Sequence, residues 1–533
     1  MNIKTLIMTS LLVATTASAQ NEEPGAHKQK AQPLSGITYQ VDKQITLSNK
    51  TTPLWINANK YGLSSLEKSN GYILVGAERR LSEDEGRKWG VGYGLEAAVT
   101  SGFTSRFVVQ QAYVEGRWLH GVLSIGSKEH PLELKNDSLS SGSQTLGKNA
   151  RPVPQVRLAL EDYWTIPGTR GWLHLKGHIA YGKMTDDNWQ HEFTQRKSKF
   201  SDDVLFHSKA GYLKIGNEEV FCPWSLEMGL EMACLFGGSS WKIVNGELVN
   251  FSKGGTGLGD YWRAFVPGGA EPGEKGTAWE NAEGDQLGSW VARLNYDGDY
   301  WGFSLYADKF FEDHSSILQL DYDGYGTGEE WNQKKKHKYL LYDFKDWLLG
   351  LELNFKQGTW LRNIVFEYLY TKYQSGPIYH DHTENISTHV CGTDNYYNHN
   401  IYSGWQHWGQ VMGNPLYRSP LYNTDGLIQV EDNRFIAYHL GFSGAPQDNI
   451  NYRVLATYQE GWGTYKSPYT HKRHNVSLLV EAAYQPITQK KWLKGTMVKL
   501  GYGMDFGSIL RGVNYGFQLT VAKTGLLTKN VKR

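Results

Sequence analysis

A long segment between residues 374 and 432 is dense in Tyr, Trp, His, Asn and Asp. Flat aromatic rings can pack against the C–H faces of sugar rings, while amides and carboxylates reach sugar hydroxyls. For any single ring, packing a long loop into the mouth of a larger structure is the simpler interpretation. As a set, the loop aromatics predict a glycan-binding surface with five candidate stacking residues: Tyr396, Tyr397, Trp405, Trp408 and Trp462.

Other chemistries have weaker support in the sequence. Asp321, Asp323, Glu329 and Glu330 offer carboxylates for glycoside cleavage, but that reaction depends on a carboxyl separation that a loop sequence does not give. His380 to His382 resemble metal ligands, yet no third ligand follows at a telling spacing. We therefore expect no enzyme activity, no catalytic residue, no metal site and no cofactor.

The elements that position these loops are predicted to be strands. From Gly288 to Phe311 two runs with alternating apolar and polar side chains flank an Asp297-Gly298 turn. Because strand side chains have a period of two, each run has an apolar face with aromatic ends and a polar face. Such runs recur along the chain, and short turns alternate with long excursions at 237–287, 312–346, 374–432 and 461–473. This pattern predicts an all-β fold, a transmembrane antiparallel β-barrel of about 18 strands.

Composition is compatible with a barrel. Aromatic residues make up 13% of the chain, as expected for girdles at two membrane interfaces, although a secreted carbohydrate-binding or carbohydrate-cleaving protein would also be aromatic-rich. A mean hydropathy of -0.51 does not argue against a barrel, because every second strand residue is polar. The formal charge of +1 argues against a nucleic-acid partner.

The chain divides into three predicted regions. Residues 1–19 have the charged start, apolar centre and Ala17-Ser18-Ala19 cleavage site of a secretory signal peptide. Residues 20–52 are predicted to form a polar N-terminal segment, and residues 53–533 the barrel with its long loops and internal plug segments. No later run approaches the ~18 consecutive apolar residues of a membrane-spanning helix. An exported protein of the outer membrane is therefore expected.

The stretch from Ser124 to Pro167 is rich in charges and has little alternation in its middle. Irregular backbone cannot face hydrocarbon, so this segment is expected to fold into the lumen or a rim. Its charged residues are then expected to form a polar network that occludes the interior: Lys128, Arg151, Arg157 and Asp162. A long turn with incidental ion pairs is the alternative.

Several phrases resemble the Wzi capsule-assembly family of outer-membrane proteins. They cover most of the mature chain, and the main ones lie at Pro53 to Leu66, Phe107 to Trp118, Ser124 to Gly142, Lys148 to Gly168, Leu175 to Phe193, Val204 to Asn217 and Gly413 to Gly426. The resemblance implies about eighteen strands, a lumen occluded in part by a small helical element on the periplasmic side, and a lectin-like role without catalysis. It does not identify the glycan.

The predicted function is that of an outer-membrane protein that binds surface or capsular polysaccharide and helps to assemble or anchor the capsule. We expect a monomer in contact with outer-membrane lipid and lipopolysaccharide. The basic run Lys334 to Lys338 could meet acidic sugars or lipopolysaccharide phosphates, or could be a solvated loop tip. The alternative function is a porin-like channel for oligosaccharides with the same lumen left open.

Overall fold

The computed structural model describes residues 34–217, 219–220, 222–266, 284–312, 345–376 and 393–528, together with the backbone alone of 320–321, 339–340, 379–383 and 386–391. The strands in chain order are β1 (Thr38–Thr51), β2 (Glu67–Arg79), β3 (Trp89–Ser101), β4 (Phe107–Trp118), β5 (Gly121–Ser127), β6 (Gln155–Thr165), β7 (Leu173–Lys183), β8 (Phe200–Asp202), β9 (Leu205–Ile215), β10 (Trp224–Phe236), β11 (Ser239–Val244), β12 (Glu247–Lys253), β13 (Asp285–Asp297), β14 (Trp301–Glu312), β15 (Leu320–Asp321), β16 (Tyr339–Leu340), β17 (Trp347–Phe355), β18 (Asn363–Tyr370), β19 (Tyr379–Thr383), β20 (Ile386–Cys391), β21 (Gln406–His407), β22 (Gln410–Val411), β23 (Phe435–Gln447), β24 (Ile450–Gly463), β25 (Pro468–Tyr484), β26 (Thr496–Gly507) and β27 (Asn514–Leu526). The helices are α1 (Leu54–Asn57), α2 (Asp187–Thr194) and α3 (Leu258–Phe265), with 3-10 helices at Leu81–Asp84 and Pro420–Tyr422.

One sheet of 18 antiparallel strands closes on itself and forms a barrel. It contains every strand except β8, β11, β12, β15, β16 and β19 to β22. Each barrel strand pairs with its neighbours in sequence, and β1 closes the sheet against β27 with Thr38 opposite Leu526. Closure leaves no edge strand, which lets a sheet exist in a membrane. The predicted barrel of about 18 strands is confirmed.

The outer wall is apolar because the alternation of each strand points its hydrophobic side chains outward. Val99, Leu305, Val480 and Leu519 are between 44% and 64% exposed on separate strands. A soluble protein rarely exposes so continuous an apolar surface, whereas lipid covers it in a membrane barrel. Within the described residues, no helix is long and apolar enough to cross a bilayer.

The two ends of the barrel differ in the length of their connections. The end that holds Thr38 and Leu526, here the short-turn end, has no connection longer than 485–495. The opposite end, here the long-loop end, carries the connections 52–66, 102–106, 128–154, 184–204, 237–284, 313–346, 371–434, 464–467 and 508–513. This difference matches the periplasmic and extracellular ends of bacterial barrels.

β1 corrects the predicted domain boundary, because residues 38–51 are a barrel strand and not part of a polar N-terminal segment. Val41, Ile45 and Leu47 lie on its outer face and are 37%, 46% and 56% exposed. Lys43 lies between them in the same alternation, and this charge hid the apolar face in the sequence.

The helices also differ from expectation in position. A helical element at the short-turn end exists only as the 3-10 helix Leu81–Asp84 among the described residues, while the α-helices belong to long-loop connections. α1 is fully buried in the lumen. α3 packs on the outside of the barrel, where Tyr181 Oη donates to the carbonyl of Tyr261 at 2.9 Å, and Trp262 stays 64% exposed.

Candidate glycan-binding site

The 128–154 connection, here called the plug, enters the lumen and is held to the wall by buried polar contacts. Lys135 Nζ lies 2.9 Å from Asp308 Oδ2, and both side chains are almost fully buried. The backbone N–H of Gln144 donates to the same oxygen at 3.1 Å. Burial disfavours the charged amine, but the carboxylates of Asp308 and Glu231 outweigh it and raise the pKa of Lys135. The buried ammonium group of the plug is therefore neutralised by a carboxylate of the barrel wall.

Two wall glutamates hold the middle of the plug. Glu367 on β18 accepts hydrogen bonds from Ser140 Oγ at 2.5 Å and from the Ser141 N–H at 2.8 Å. On β17, Glu352 accepts from the amide of Asn136 at 2.7 Å. Buried polar groups cost free energy unless they are paired, so these matched contacts fix the plug at one position against the wall.

Three segments from the long-loop end fill the lumen together. Trp55 from 52–66, Leu139 from the plug and Trp405 from 371–434 belong to one buried cluster with inward wall residues such as Val365 and Leu479. The predicted occluded lumen follows from this packing, because side chains take the space that an open pore would need.

Tyr396, Tyr397 and Trp405 are part of this filling, which contradicts their predicted role as exposed stacking platforms. Their exposed fractions are 0%, 1% and 1%. Tyr397 stacks on Tyr417 with ring centroids 4.0 Å apart, and Trp405 Nε1 donates to the carbonyl of Thr145 at 3.0 Å. The loop folds inward because the plug supplies the polar partner that a buried aromatic side chain requires.

A cleft of about 290 Å³ lies at the long-loop end, beside the filled part of the lumen. Six connections contribute to it, and their side chains combine aromatic rings with hydrogen-bonding groups. The residues that carry its chemistry are Ser64, Phe103, Thr104, Arg151, Trp189, Phe193, His407, Trp408, Gln410, Asn423 and Arg511. This cleft has the lining expected of a sugar site: rings for C–H faces and fixed donors and acceptors for hydroxyls.

Trp408 and Gly409 form the tight turn between β21 and β22. The backbone φ of Trp408 is +56° and that of Gly409 is +78°, the left-handed pair of a two-residue hairpin turn. The buried carboxylate of Asp186 accepts the Trp408 N–H at 3.2 Å and a Gln406 side-chain N–H at 3.0 Å. A left-handed conformation is costly for tryptophan, and such strain concentrates at functional sites. The turn therefore holds the Trp408 ring in the wall of the cleft.

Arg151 lies between the cleft and a smaller interior cavity of about 130 Å³ beside the plug. Its guanidinium carbon is 4.3 Å from the centroid of the Trp408 ring, and one amine donates to Thr104 Oγ1 at 3.0 Å. Burial lowers the pKa of Arg151 to about 10, partly offset by Asp186, so the group stays charged at neutral pH. Within the described part of the chain, Arg151 forms no ion pair.

His407 lies in the wall of the cleft, and its hydrogen bonds select one tautomer of the neutral ring. The backbone N–H of Thr185 can only donate, and it lies 3.2 Å from His407 Nε2, so that nitrogen accepts. Nδ1 then carries the proton and donates to the carbonyl of Arg151 at 2.9 Å. Burial lowers the pKa of His407 despite the opposing charge of Asp186, which keeps the ring neutral.

Arg511, Asn423, Gln410 and Phe193 were missed in the sequence. Arg511 Nε donates to the carbonyl of Tyr422 at 3.2 Å, which holds its side chain in the cleft, and burial lowers its pKa. These residues come from separate connections with ordinary local sequences, so only the closed barrel brings them together.

Two residues of the predicted lumen network form ion pairs. Lys128 pairs with Glu115 at 2.5 Å, and Arg157 pairs with Glu161 beside the interior cavity. Asp162 is instead an exposed side chain where the register between β6 and β7 shifts. Glu115 on β4 is therefore one wall partner of the plug, and the other wall partners, Asp308, Glu352 and Glu367, come from distant strands.

Trp462 lies on the outer surface of the barrel wall, which does not fit its predicted role as a stacking residue at the mouth. Its neighbour Gly461 faces inward toward Asp432, so Trp462 lies on the outward face of β24. Its ring centroid is 4.0 Å from Lys372 Nζ. This position is away from the cleft, so Trp462 is not a stacking platform at the mouth.

The remaining sequence candidates lie outside the described side chains: Asp321, Asp323, Glu329, Glu330, His380 to His382 and Lys334 to Lys338. Among the side chains that the structure describes, no group of three His, Cys, Asp or Glu residues is placed to hold a metal.

The closed barrel, its apolar wall and its inward plug define the class: an outer-membrane β-barrel. The fold is similar to that of Wzi from Escherichia coli, an outer-membrane protein involved in group 1 capsule assembly and a carbohydrate-binding β-barrel. That match has a TM-score of 0.53 and 12% identity, over 91% of this chain and 83% of Wzi. OccAB2 of Acinetobacter baumannii aligns with a TM-score of 0.46 at 9% identity, over 93% of this chain and 100% of that chain. The outer membrane protein OprD of Pseudomonas aeruginosa aligns with a TM-score of 0.42 at 9% identity, over 93% and 95%. No protein-family model and no curated protein sequence matches the chain.

Proposed function

We propose that this outer-membrane barrel binds surface polysaccharide, capsular polysaccharide first of all, and helps to anchor or assemble the capsule. The observation that carries the proposal is the cleft at the long-loop end, which is lined with rings and donors while three long-loop segments fill the adjoining part of the lumen. The carbohydrate-binding barrel Wzi, which has the same fold, supports it.

The cleft chemistry suits a sugar chain. The partly exposed rings of Trp408 and Phe193 can pack against sugar C–H faces, and the exposed hydroxyl of Thr104 can reach sugar hydroxyls. Arg511 and Arg151 add positive charge without an ion-pair partner among the described residues, which favours glycans that carry acidic groups. The polysaccharide partner expected from the sequence remains part of the proposal. The proposed binding site is this cleft and not the whole aromatic loop.

The test is an equilibrium titration of the purified full-length barrel with polysaccharide extracted from the surface of the source cell. Trp408→Ala and Arg511→Gln are each expected to weaken binding at least tenfold, which corresponds to about 1.4 kcal/mol. Trp360→Ala and Arg362→Gln make the same changes at the short-turn end and are expected to leave binding unchanged. Equal affinities for all four variants and the parent protein would contradict the cleft assignment.

The channel alternative makes a different prediction. A filled lumen is expected to give no large stable single-channel current in a planar bilayer. Large steady currents from the parent barrel, reduced by added oligosaccharide, would replace the binding proposal with a channel for oligosaccharides.

A further inference from the structure

A row of aromatic side chains crosses the outer wall near the long-loop end. Tyr368 on β18 lies directly opposite Tyr438 on β23, and Tyr438 lies directly opposite Tyr458 on β24. The rings of Tyr368 and Tyr438 are 5.3 Å apart, and Val476 on β25 continues the row opposite Tyr458. Tyrosines on the outward face of a barrel mark the boundary between hydrocarbon and head groups.

Four residues beyond this row, a second set of side chains lies on the same side of the barrel, in β24, in β25 and in the chain next to the ends of β18 and β23. This set, here called the rim cluster, consists of Lys372, Arg434, Trp462 and Lys472. The backbone of Arg434 and Trp462 is still paired, since the Trp462 N–H donates to the Arg434 carbonyl at 2.8 Å. Four residues of a tilted strand rise about 10 Å along the membrane normal. The rim cluster therefore lies at the level of lipid head groups.

Aromatic rings hold the cations of the rim cluster in place. Lys372 Nζ lies 4.0 Å and Lys472 Nζ 5.9 Å from the Trp462 ring centroid, and the Arg434 guanidinium lies 3.6 Å from that of Tyr465. A cation over a ring keeps its charge and its capacity for an anion on the other side. The arrangement places two cations over Trp462 and a third over the neighbouring Tyr465.

The balance of charge in the rim cluster is positive. Lys472 pairs with Glu460 at 2.9 Å and keeps a side chain that is 41% exposed. In the part of the chain that the structure describes, neither Lys372 nor Arg434 pairs with a carboxylate. His474 lies 3.7 Å from the same Glu460 and adds charge only when protonated. Two cations are therefore available to an outside anion.

We propose that the rim cluster binds the phosphate groups of lipopolysaccharide in the outer leaflet. Lysine and arginine side chains form their strongest contacts with phosphate when the site is partly removed from water, as it is at the head-group level. The tyrosine row below supplies the contact for the upper acyl chains of the same lipid. This site is separate from the cleft and does not depend on what the cleft binds.

The experiment measures binding of lipid A to the full-length barrel in detergent by native mass spectrometry. Bisphosphorylated lipid A is expected to bind, and the Lys372→Gln/Arg434→Gln double variant to lose at least tenfold in affinity. Lys372→Arg/Arg434→Lys keeps both charges and is expected to retain binding. Lys183→Gln is the matched control, because Lys183 lies at the long-loop end but is already paired with Asp203 at 2.5 Å.

Two further arms distinguish a phosphate-dependent lipid site from contact with acyl chains alone and from a site for free phosphate. Lipid A stripped of phosphate is expected to bind the parent barrel at least tenfold more weakly. Inorganic phosphate at equal concentration is expected not to displace lipid A, since it lacks the acyl chains. Unchanged binding by the folded double variant, equal binding of dephosphorylated lipid A, or displacement by phosphate alone would each overturn the proposal. Far-ultraviolet circular dichroism of each variant verifies the barrel fold.

Discussion

Replacing Asp308 with asparagine removes the carboxylate that forms the ion pair with the buried Lys135 of the plug. Their atoms are 2.9 Å apart and the side chains are 0% and 1% exposed, so no solvent can take over the pairing. Removing one partner of a buried ion pair costs about 3–5 kcal/mol. At about 1.4 kcal/mol per factor of ten, the population with a displaced plug should rise by roughly two to four orders of magnitude.

The assay combines two readouts on the same preparation. Asp308→Asn is expected to lower the free energy of unfolding in urea and to produce single-channel openings that the parent barrel lacks. Lys135→Met/Asp308→Asn removes both charges and is expected to recover most of the loss, because a pair replaced together costs far less than a pair broken. Asp299→Asn, an exposed change in the 298–300 turn, is the control. An Asp308→Asn barrel as stable and as silent as the parent would refute the reasoning that this pair holds the plug.

Three other predictions follow from the cleft and the wall. His407 has a pKa lowered by burial, so the unfolded chain takes up the proton first as pH falls. The free energy of unfolding should therefore have its full His407 contribution above the ordinary histidine pKa of about 6.5 and lose it progressively below, and His407→Gln should flatten this dependence in urea unfolding at pH 8 and pH 5. Gly409→Ala places a methyl group 2.4 Å from the Trp189 ring at a φ of +78°, and should weaken glycan binding at least as much as Trp408→Ala while the barrel stays folded by circular dichroism. Leu440→Arg puts a charge on the lipid face of β23 and should cost about 2–4 kcal/mol in urea unfolding from vesicles, whereas a cost near zero would contradict lipid contact there.

The scaffold was predictable because strand alternation is local. The hairpin of β13 and β14 shows in the sequence which side chains face outward, and the structure confirms that Trp290 and Leu305 do so. β1 was missed because Lys43 interrupts its apolar face, and one charge is enough to obscure an alternation of three apolar residues.

The candidate site was predicted less well, because its residues meet only through closure of the barrel. The aromatic loop was the correct region, yet Tyr397 and Trp405 fold into the lumen where the plug accepts their hydrogen bonds. Nothing local distinguishes these rings from Trp408, whose turn leaves it at the cleft. Arg511 belongs to a short connection that carries no aromatic signal at all.

The most direct measurement of the central claim is a structure of the full-length barrel with a bound fragment of its surface polysaccharide. We predict sugar density in the cleft, with a ring against Trp408, hydroxyl or acidic groups at Arg511 and Thr104, and the plug in place. Sugar density threaded through the lumen with the plug displaced, or bound elsewhere on the barrel with the cleft empty, would contradict the claim.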